Sequence, residues 1–156
     1  DSESWTQVIV EEMKQMWIFN AWESIDKKDI PNDEKVIGSR WGFIIKSNGR
    51  YKARFCIKGC QQIKCIHFEE TFASASRIEI LRLAISIVSE MKLTLYQCGV
   101  TAAFLQVNIL RKIFGKICTA DGIIYVVFNK SVYGLKQSPM NWNKEISATL
   151  TEFGFT

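Results

Sequence analysis

The stretch LTLYQCGVTAAFL, residues 93–105, is predicted to be the segment around which the rest of the fold is built. Side chains in residues 93–98 alternate with a period of two, so that Leu93 and Leu95 share one face. Gly99 breaks this alternation, and a short apolar turn follows. The pattern alone favours a buried strand that carries no chemistry.

Length and composition indicate one globular domain or a part of one. The chain has 156 residues, of which 47% are hydrophobic, and such a chain can bury a core. This composition excludes the disordered and fibrous classes. No apolar run approaches the roughly 18 residues of a membrane helix. The start, Asp1-Ser2-Glu3, lacks the features of a signal peptide. We therefore expect an intracellular protein, cytoplasmic or nuclear and not secreted, with no membrane partner.

Cysteine usage indicates free thiols in a reducing compartment, because the five cysteines are odd in number and irregularly spaced. One hypothesis is a zinc site whose ligands would be Cys56, Cys60, Cys65 and His67. Its spacing matches no common zinc pattern, so ordinary packing is favoured and no metal ligand is predicted.

Charge is distributed unevenly along the chain. Residues 35–64 contain no acidic residue, whereas the rest of the chain is net acidic. The basic residues of this segment are Lys35, Arg40, Lys46, Arg50, Lys52, Arg54, Lys58 and Lys64. Such a cluster is typical of proteins that bind a phosphate backbone. A solvated hairpin with basic outer faces is an equally good interpretation of the charge alone.

The first half of the chain predicts a helix, a short strand and a hairpin. Apolar residues recur at helical spacing over residues 5–18, and residues 22–25 form a short β-rich run. Two longer β-rich runs, 36–46 and 50–58, flank Asn48-Gly49. Because Asn-Gly between two such runs favours a tight turn, we predict a β-hairpin that carries the basic residues.

The second half predicts two helices and a second hairpin. Residues 78–91 have helical apolar periodicity, and we assign this helix a role in the core. Residues 113–128 hold two β-rich runs around the turn at 120–122. Ser138 can cap a last helix, with Pro139 in its first position. The overall prediction is an α/β (α+β) fold, with a mainly antiparallel sheet and helices packed on it.

Three motifs resemble the reverse transcriptases of copia-type retrotransposons. The family pattern Gln-x-Asp-Val-x-x-Ala-Phe-Leu matches residues 97–105, except that Gly99 replaces its metal-binding aspartate. Residues 50–62 are similar to the family's Arg-Tyr-Lys-Ala-Arg segment with its following Lys-Gly. Residues 130–139, KSVYGLKQSP, are similar to the most specific family motif, Lys-Ser-Leu-Tyr-Gly-Leu-Lys-Gln-x-Pro.

The resemblance implies an RNA-directed DNA polymerase with a right-hand architecture. Residues 1–92 would form the N-terminal helix and fingers, and residues 93–156 part of the palm. The family uses Mg²⁺ held by palm carboxylates, one of which belongs at Gly99, while the other two lie in a Tyr-Val-Asp-Asp hairpin. The sequence contains none of the three. We therefore expect an inactive chain without a metal ligand or cofactor of its own. The alternative is a nucleic-acid-binding module without polymerase activity.

The resemblance also implies which residues meet nucleotide and template. The expected partners are an RNA or DNA primer–template and, in the family, a deoxynucleotide. Phe104 is an aromatic gate near the ribose or a packing residue, with neither favoured. His67 stands where the family usually has aspartate, and a structural role is favoured for it. The residues predicted to bind are Lys46, Lys52, Arg54, Phe104, Gly134 and Gln137.

Overall fold

The computed structural model describes residues 2–119 and 121–155. The turn predicted at 120–122 includes Ala120, which lies outside these residues. The helices are α1 (Ser2–Ile18), α2 (Ile78–Glu90) and α3 (Ser138–Glu152). The strands are β1 (Trp22–Ser24), β2 (Ile37–Ile45), β3 (Tyr51–Ile57), β4 (Asn108–Thr119) and β5 (Gly122–Lys130).

The strands form one five-stranded sheet in the order β1-β5-β4-β2-β3. Three of the four neighbouring pairs are antiparallel. The exception is a short parallel pairing of β2 with β4, in which Ile37 lies opposite Gly115. The predicted mainly antiparallel α/β fold is therefore confirmed, and strands from both sides of residue 92 belong to the same sheet.

The hydrophobic core lies between α1 and the sheet. In β3 the buried residues Ala53, Phe55 and Ile57 alternate with partly exposed ones, as expected for a strand with one face covered. Met16 of α1 and Ile37 of β2 are almost completely inaccessible and belong to the same cluster. This packing fixes the register of the β2–β3 hairpin, because a shift by one residue would expose every buried side chain of β3.

Residues 93–98 do not form the predicted strand. The segment has no regular secondary structure, and Leu93, Leu95 and Tyr96 are all exposed. A strand forms when a neighbour pairs with its backbone N–H and C=O groups. In the described part of the chain no strand pairs with this segment, and residues 93–98 are all exposed. The local alternation was therefore not sufficient to produce a strand.

The second helix is present as predicted, but its predicted role in the core is wrong. None of the residues of α2 is buried, and Ile80, Leu81 and Ile85 are about half exposed. Periodicity determines which side chains share a face of a helix, whereas burial also requires a second surface. Among the described residues no such surface covers α2.

The last helix begins without the predicted serine cap. Gln137 is the residue before α3 and makes no capping hydrogen bond, while Pro139 lies in the first turn as predicted. The Ser138 hydroxyl instead donates to the Val132 carbonyl at 2.8 Å. Gly154, with φ of +86°, follows the helix. The side chain of Ser138 thus holds the preceding loop rather than the helix end.

Candidate nucleic-acid interface

The basic residues project from the β2–β3 hairpin. The turn between the strands places Gly49 at φ +76°, and the Asn48 side-chain oxygen accepts the Arg50 N–H at 3.2 Å. In β3, Lys52 and Arg54 alternate with buried residues, so both side chains remain outside the core. The sequence pattern that buries one face of β3 therefore also presents two cations on the other face.

The N-terminal helix covers the free edge of β3. Trp5 of α1 makes edge-to-face contacts with Phe43 at 5.2 Å and Tyr51 at 4.6 Å between ring centroids. About two turns further along α1, the Glu12 carboxylate accepts the Phe55 N–H at 3.2 Å. This hydrogen bond satisfies a backbone donor at a sheet edge, where no further strand is available.

Helix α1, strand β3 and the loop around Tyr133 enclose a cleft of about 230 Å³, here called the basic cleft. Its charged lining residues are the cations Arg50, Lys52 and Arg54 and the acidic residues Glu11 and Glu12 of α1. The Arg54 guanidinium lies 4.0 Å from the centroid of the Tyr133 ring. A guanidinium stacked on an aromatic face keeps its N–H donors at the ring's edges available for a phosphate.

The cations of the basic cleft are not neutralised by direct ion pairs. In residues 2–119 and 121–155, the ion pairs join Lys28 to Asp26 and Arg111 to Glu69, away from the cleft. Burial, followed by repulsion from Arg54 and Lys46, lowers the pKa of Lys52. A polyanion that entered the cleft would relieve this repulsion, so the electrostatics favour a phosphate-bearing ligand.

Glu12 is an acidic residue of the cleft whose carboxyl group interacts electrostatically with Arg54 and Lys52. Burial raises the pKa of its carboxyl group, and this effect is opposed by the Phe55 N–H and by the positive charges of Arg54 and Lys52. The ionised form of Glu12 is therefore less favourable in the folded chain than in the unfolded one. Its contribution to stability is largest below the ordinary carboxyl pKa and is lost as the pH rises through the raised value.

The variant Glu12→Gln is expected to weaken this pH dependence. An amide oxygen can still accept the Phe55 N–H but has no charge to desolvate. The wild-type free energy of unfolding should fall as the pH rises from the ordinary carboxyl pKa through the raised pKa of Glu12, whereas that of the variant should fall less. Urea denaturation at a series of pH values measures both. Equal pH slopes for the two proteins would contradict this assignment.

The structure brings some of the predicted binding residues together and separates others. Lys52 and Arg54 line the basic cleft, and Lys46 lies with both along a shallow surface on the hairpin. Phe104 packs on Tyr133 with 4.9 Å between ring centroids, so it touches the cleft only through that ring. Both interpretations of Phe104 are compatible with this position.

Gly134 and Gln137 lie outside the basic cleft. Gly134 has φ of +93°, and a Cβ atom there would lie 2.1 Å from the Ile57 carbonyl oxygen. Gly134 thus allows the loop to dock on the end of β3. Gln137 is buried, and its side-chain amide accepts from Gln62 at 2.9 Å and donates to the His67 carbonyl at 3.3 Å. Both residues hold the loop that presents Tyr133.

The residues present do not fit the Mg²⁺ site of a polymerase. Gly99 offers no side chain, and its segment is exposed coil. In the part of the chain that the structure describes, no group of three or more His, Cys, Asp or Glu side chains is arranged to hold a metal ion. Because Mg²⁺ needs hard oxygen ligands, no step through a metal is assigned to these residues.

Comparison with known protein families identifies the family of the chain. A family model described as reverse transcriptase (RNA-dependent DNA polymerase) matches residues 19–156. The chain belongs to the reverse transcriptase family. Its similarity is to the copia-type members, whose motifs resemble residues 97–105 and 130–139 apart from Gly99 and Val132. No solved structure matches the chain significantly.

Three curated relatives of this reverse transcriptase chain are retrovirus-related Pol polyproteins of plant transposons. That of transposon TNT 1-94 from Nicotiana tabacum is 31% identical over 73% of the chain. Those of transposons RE2 and RE1 from Arabidopsis thaliana are each 27% identical, over 97% and 98% of the chain. The chain spans 9% of the first relative and 11% of each of the others.

Two residues of the interface were not among those predicted for this reverse transcriptase chain. Tyr133 lies within the KSVYGLKQSP motif and contacts Arg54, and Glu12 lies in the first helix and accepts the Phe55 N–H, but neither position in the sequence indicates its contact. Both contacts join residues far apart in the sequence, so they depend on the fold.

No helix in the described part of the chain is long and apolar enough to cross a membrane.

Proposed function

We propose that this chain binds nucleic acid through the basic cleft, as the fingers region of a reverse transcriptase, and has no polymerase chemistry of its own. The observation that supports the proposal most strongly is the stacking of Arg54 on Tyr133, beside Lys52 and Arg50. These groups combine positive charge with an aromatic surface, which suits a phosphate backbone and its neighbouring base. A primer–template duplex is the partner that we propose, with a deoxynucleotide as a further ligand of the longer polymerase.

A second candidate is a binding module that acts without any polymerase. The concentration of basic residues in 35–64, with no acid among them, is compatible with it. Both candidates require the same contacts between the basic cleft and phosphate. They differ in whether carboxylates from elsewhere complete a metal site, so a test of binding alone supports both equally.

The triple variant Arg50→Gln, Lys52→Gln, Arg54→Gln is expected to lose most of the affinity for a primer–template duplex. Each phosphate contact that is lost should reduce the slope of log K against log salt by about 0.9. Three lost contacts would therefore reduce it by between about 2 and 3. Fluorescence anisotropy with a labelled duplex, measured at several salt concentrations, gives both the affinity and the slope.

A matched control removes the same charge from other surfaces. Lys92, Lys112 and Lys116 are exposed and do not line the basic cleft. Changing all three to glutamine should lower the affinity only slightly, because the net charge falls while the cleft is intact. If both triple variants weakened binding and lowered the salt slope equally, the affinity would depend on net charge and not on the basic cleft, and the proposal would be wrong.

A further inference from the structure

A second cavity, of about 150 Å³, lies between the loop at residues 67–70, the start of β4 and the first turns of α3. Its lining shares no residue with that of the basic cleft. His67, at the base of the loop, is only 2% exposed. It is the single histidine of the chain.

The hydrogen bonds of His67 assign its ring protons. Its Nδ1 atom accepts the Ile63 N–H at 2.9 Å, so the ring proton lies on Nε2. This Nε2–H group is buried and has no partner among the described residues. A buried donor without an acceptor is costly, and a polar cavity beside it is the natural source of the missing partner.

The remaining lining combines charged and apolar side chains. Lys144 and Glu70 line the cavity, and neither has an ion-pair partner in the described part of the chain. Phe68, Leu110 and Met140 supply an apolar surface. The other polar residues of the lining already make hydrogen bonds within the chain; they are Glu69, Arg111, Gln137 and Asn141. The lining groups that have no partner among the described residues are therefore two donors, of which the His67 Nε2–H is one, and one carboxylate, beside apolar walls.

The volume and the polar groups together indicate the class of ligand. A cavity of about 150 Å³ in another protein holds benzene, whereas a single water occupies only about 30 Å³ of liquid. The Watson–Crick edge of uracil or thymine has two carbonyl acceptors on either side of one ring N–H donor. Two donors and a carboxylate are the complement of that edge.

We propose that this cavity binds a uracil-type or thymine-type pyrimidine base. Its carbonyl groups accept from the His67 Nε2–H and the Lys144 ammonium, and its ring N–H donates to the Glu70 carboxylate. Phe68 and Met140 contact the ring. The base is either that of a free nucleoside or an unpaired base of a strand, since single-stranded bases are recognised by their edges and by stacking. This site adds base recognition to the proposed phosphate binding.

The test uses the single histidine as a reporter. In the ¹⁵N-labelled chain, uridine is expected to shift the His67 imidazole resonances saturably, with a dissociation constant in the range of about 1 to 10 mM. 3-Methyluridine carries a methyl group in place of the ring N–H proton, so it has nothing to donate to Glu70. It should bind about tenfold more weakly, because one hydrogen bond to a charged group is lost.

Substitutions test each polar group separately. His67→Asp retains an acceptor for the Ile63 N–H but has no donor, and the methyl resonance of Met140 then reports binding. Glu70→Ala removes the acceptor and Lys144→Ala removes the second donor; both side chains are exposed, so these changes leave the fold intact and keep the histidine signal. Each substitution should weaken uridine binding by about tenfold.

A short oligouridylate distinguishes the two sources of the base. Tighter binding than uridine, with the same shift at His67, would assign the site to an unpaired base in a strand, and equal binding would assign it to free nucleosides. Equal shifts with uridine and 3-methyluridine would overturn the proposal. So would the absence of any shift with uridine and oligouridylate up to about 20 mM, since the cavity would then hold water alone. Neither result would affect binding at the basic cleft, which the hairpin variants measure.

Discussion

Replacing Gly134 with alanine is expected to destabilise the folded chain by more than about 4 kcal/mol, a large part of the stability of a typical domain. The new Cβ atom would lie 2.1 Å from the Ile57 carbonyl oxygen and 2.9 Å from the Ile57 nitrogen. Both are backbone atoms of β3, so neither can rotate away. The loop would have to leave the strand and break the hydrogen bond of 2.8 Å from the Ile57 N–H to the Tyr133 carbonyl.

Two other glycines serve as controls for this variant. Gly49 has φ of +76° with no atom within 4 Å of its missing Cβ, so alanine there adds only backbone strain, about 1 to 2 kcal/mol. Gly99 has neither a left-handed φ nor a close neighbour, and its substitution should change stability by less than about 0.5 kcal/mol. Urea denaturation followed by circular dichroism ranks the three. A loss for Gly134→Ala no greater than that for Gly49→Ala would show that the loop is not held against β3.

The sequence was sufficient for elements whose signals are local. The Asn48-Gly49 turn lies between two β-rich runs, and the predicted hairpin forms between them. Helix α3 follows Pro139 and is followed by Gly154, in agreement with the preferences of these residues. In each case the residues that determine the conformation are close neighbours in the chain.

Predictions that required a distant partner were less reliable. Residues 93–98 alternate as a strand should, and α2 has the periodicity of a core helix, yet both lie exposed. An apolar pattern records that a surface is suited to burial. It contains no information about which segment covers that surface, and among the described residues none does.

The candidate site shows the same difference between features that depend on local sequence and features that depend on distant contacts. The charges of Lys52 and Arg54 were evident from composition, because residues 35–64 contain no acid. The stacking of Arg54 on Tyr133 joins residues far apart in the sequence, and the same holds for the hydrogen bond between Glu12 and Phe55. The sequence therefore indicated the charge of the interface, whereas the fold determined its shape.

Gly99→Asp alone is expected to leave primer extension at the level of a no-protein control. The substitution itself should be tolerated, because no atom lies within 4 Å of the new Cβ position and the backbone of Gly99 is not left-handed. The reason for the failure is the number of ligands. Polymerase chemistry of this class uses two metal ions held by carboxylates from two motifs, and one aspartate in an exposed coil cannot hold both.

Activity is expected only when Gly99→Asp is combined with a Tyr-Val-Asp-Asp hairpin grafted beyond residue 156. The graft supplies the two other carboxylates and a strand that can pair with residues 93–98, which have none beside them in the described structure. A graft of equal length that carries Tyr-Val-Asn-Asn is the matched control, since it can pair in the same way but has no carboxylates. Primer extension with Mg²⁺ and deoxynucleotides compares these proteins. Extension by the unmodified chain, or by the Asn-Asn graft as well as by the Asp-Asp graft, would show that the carboxylates are not what this chain lacks.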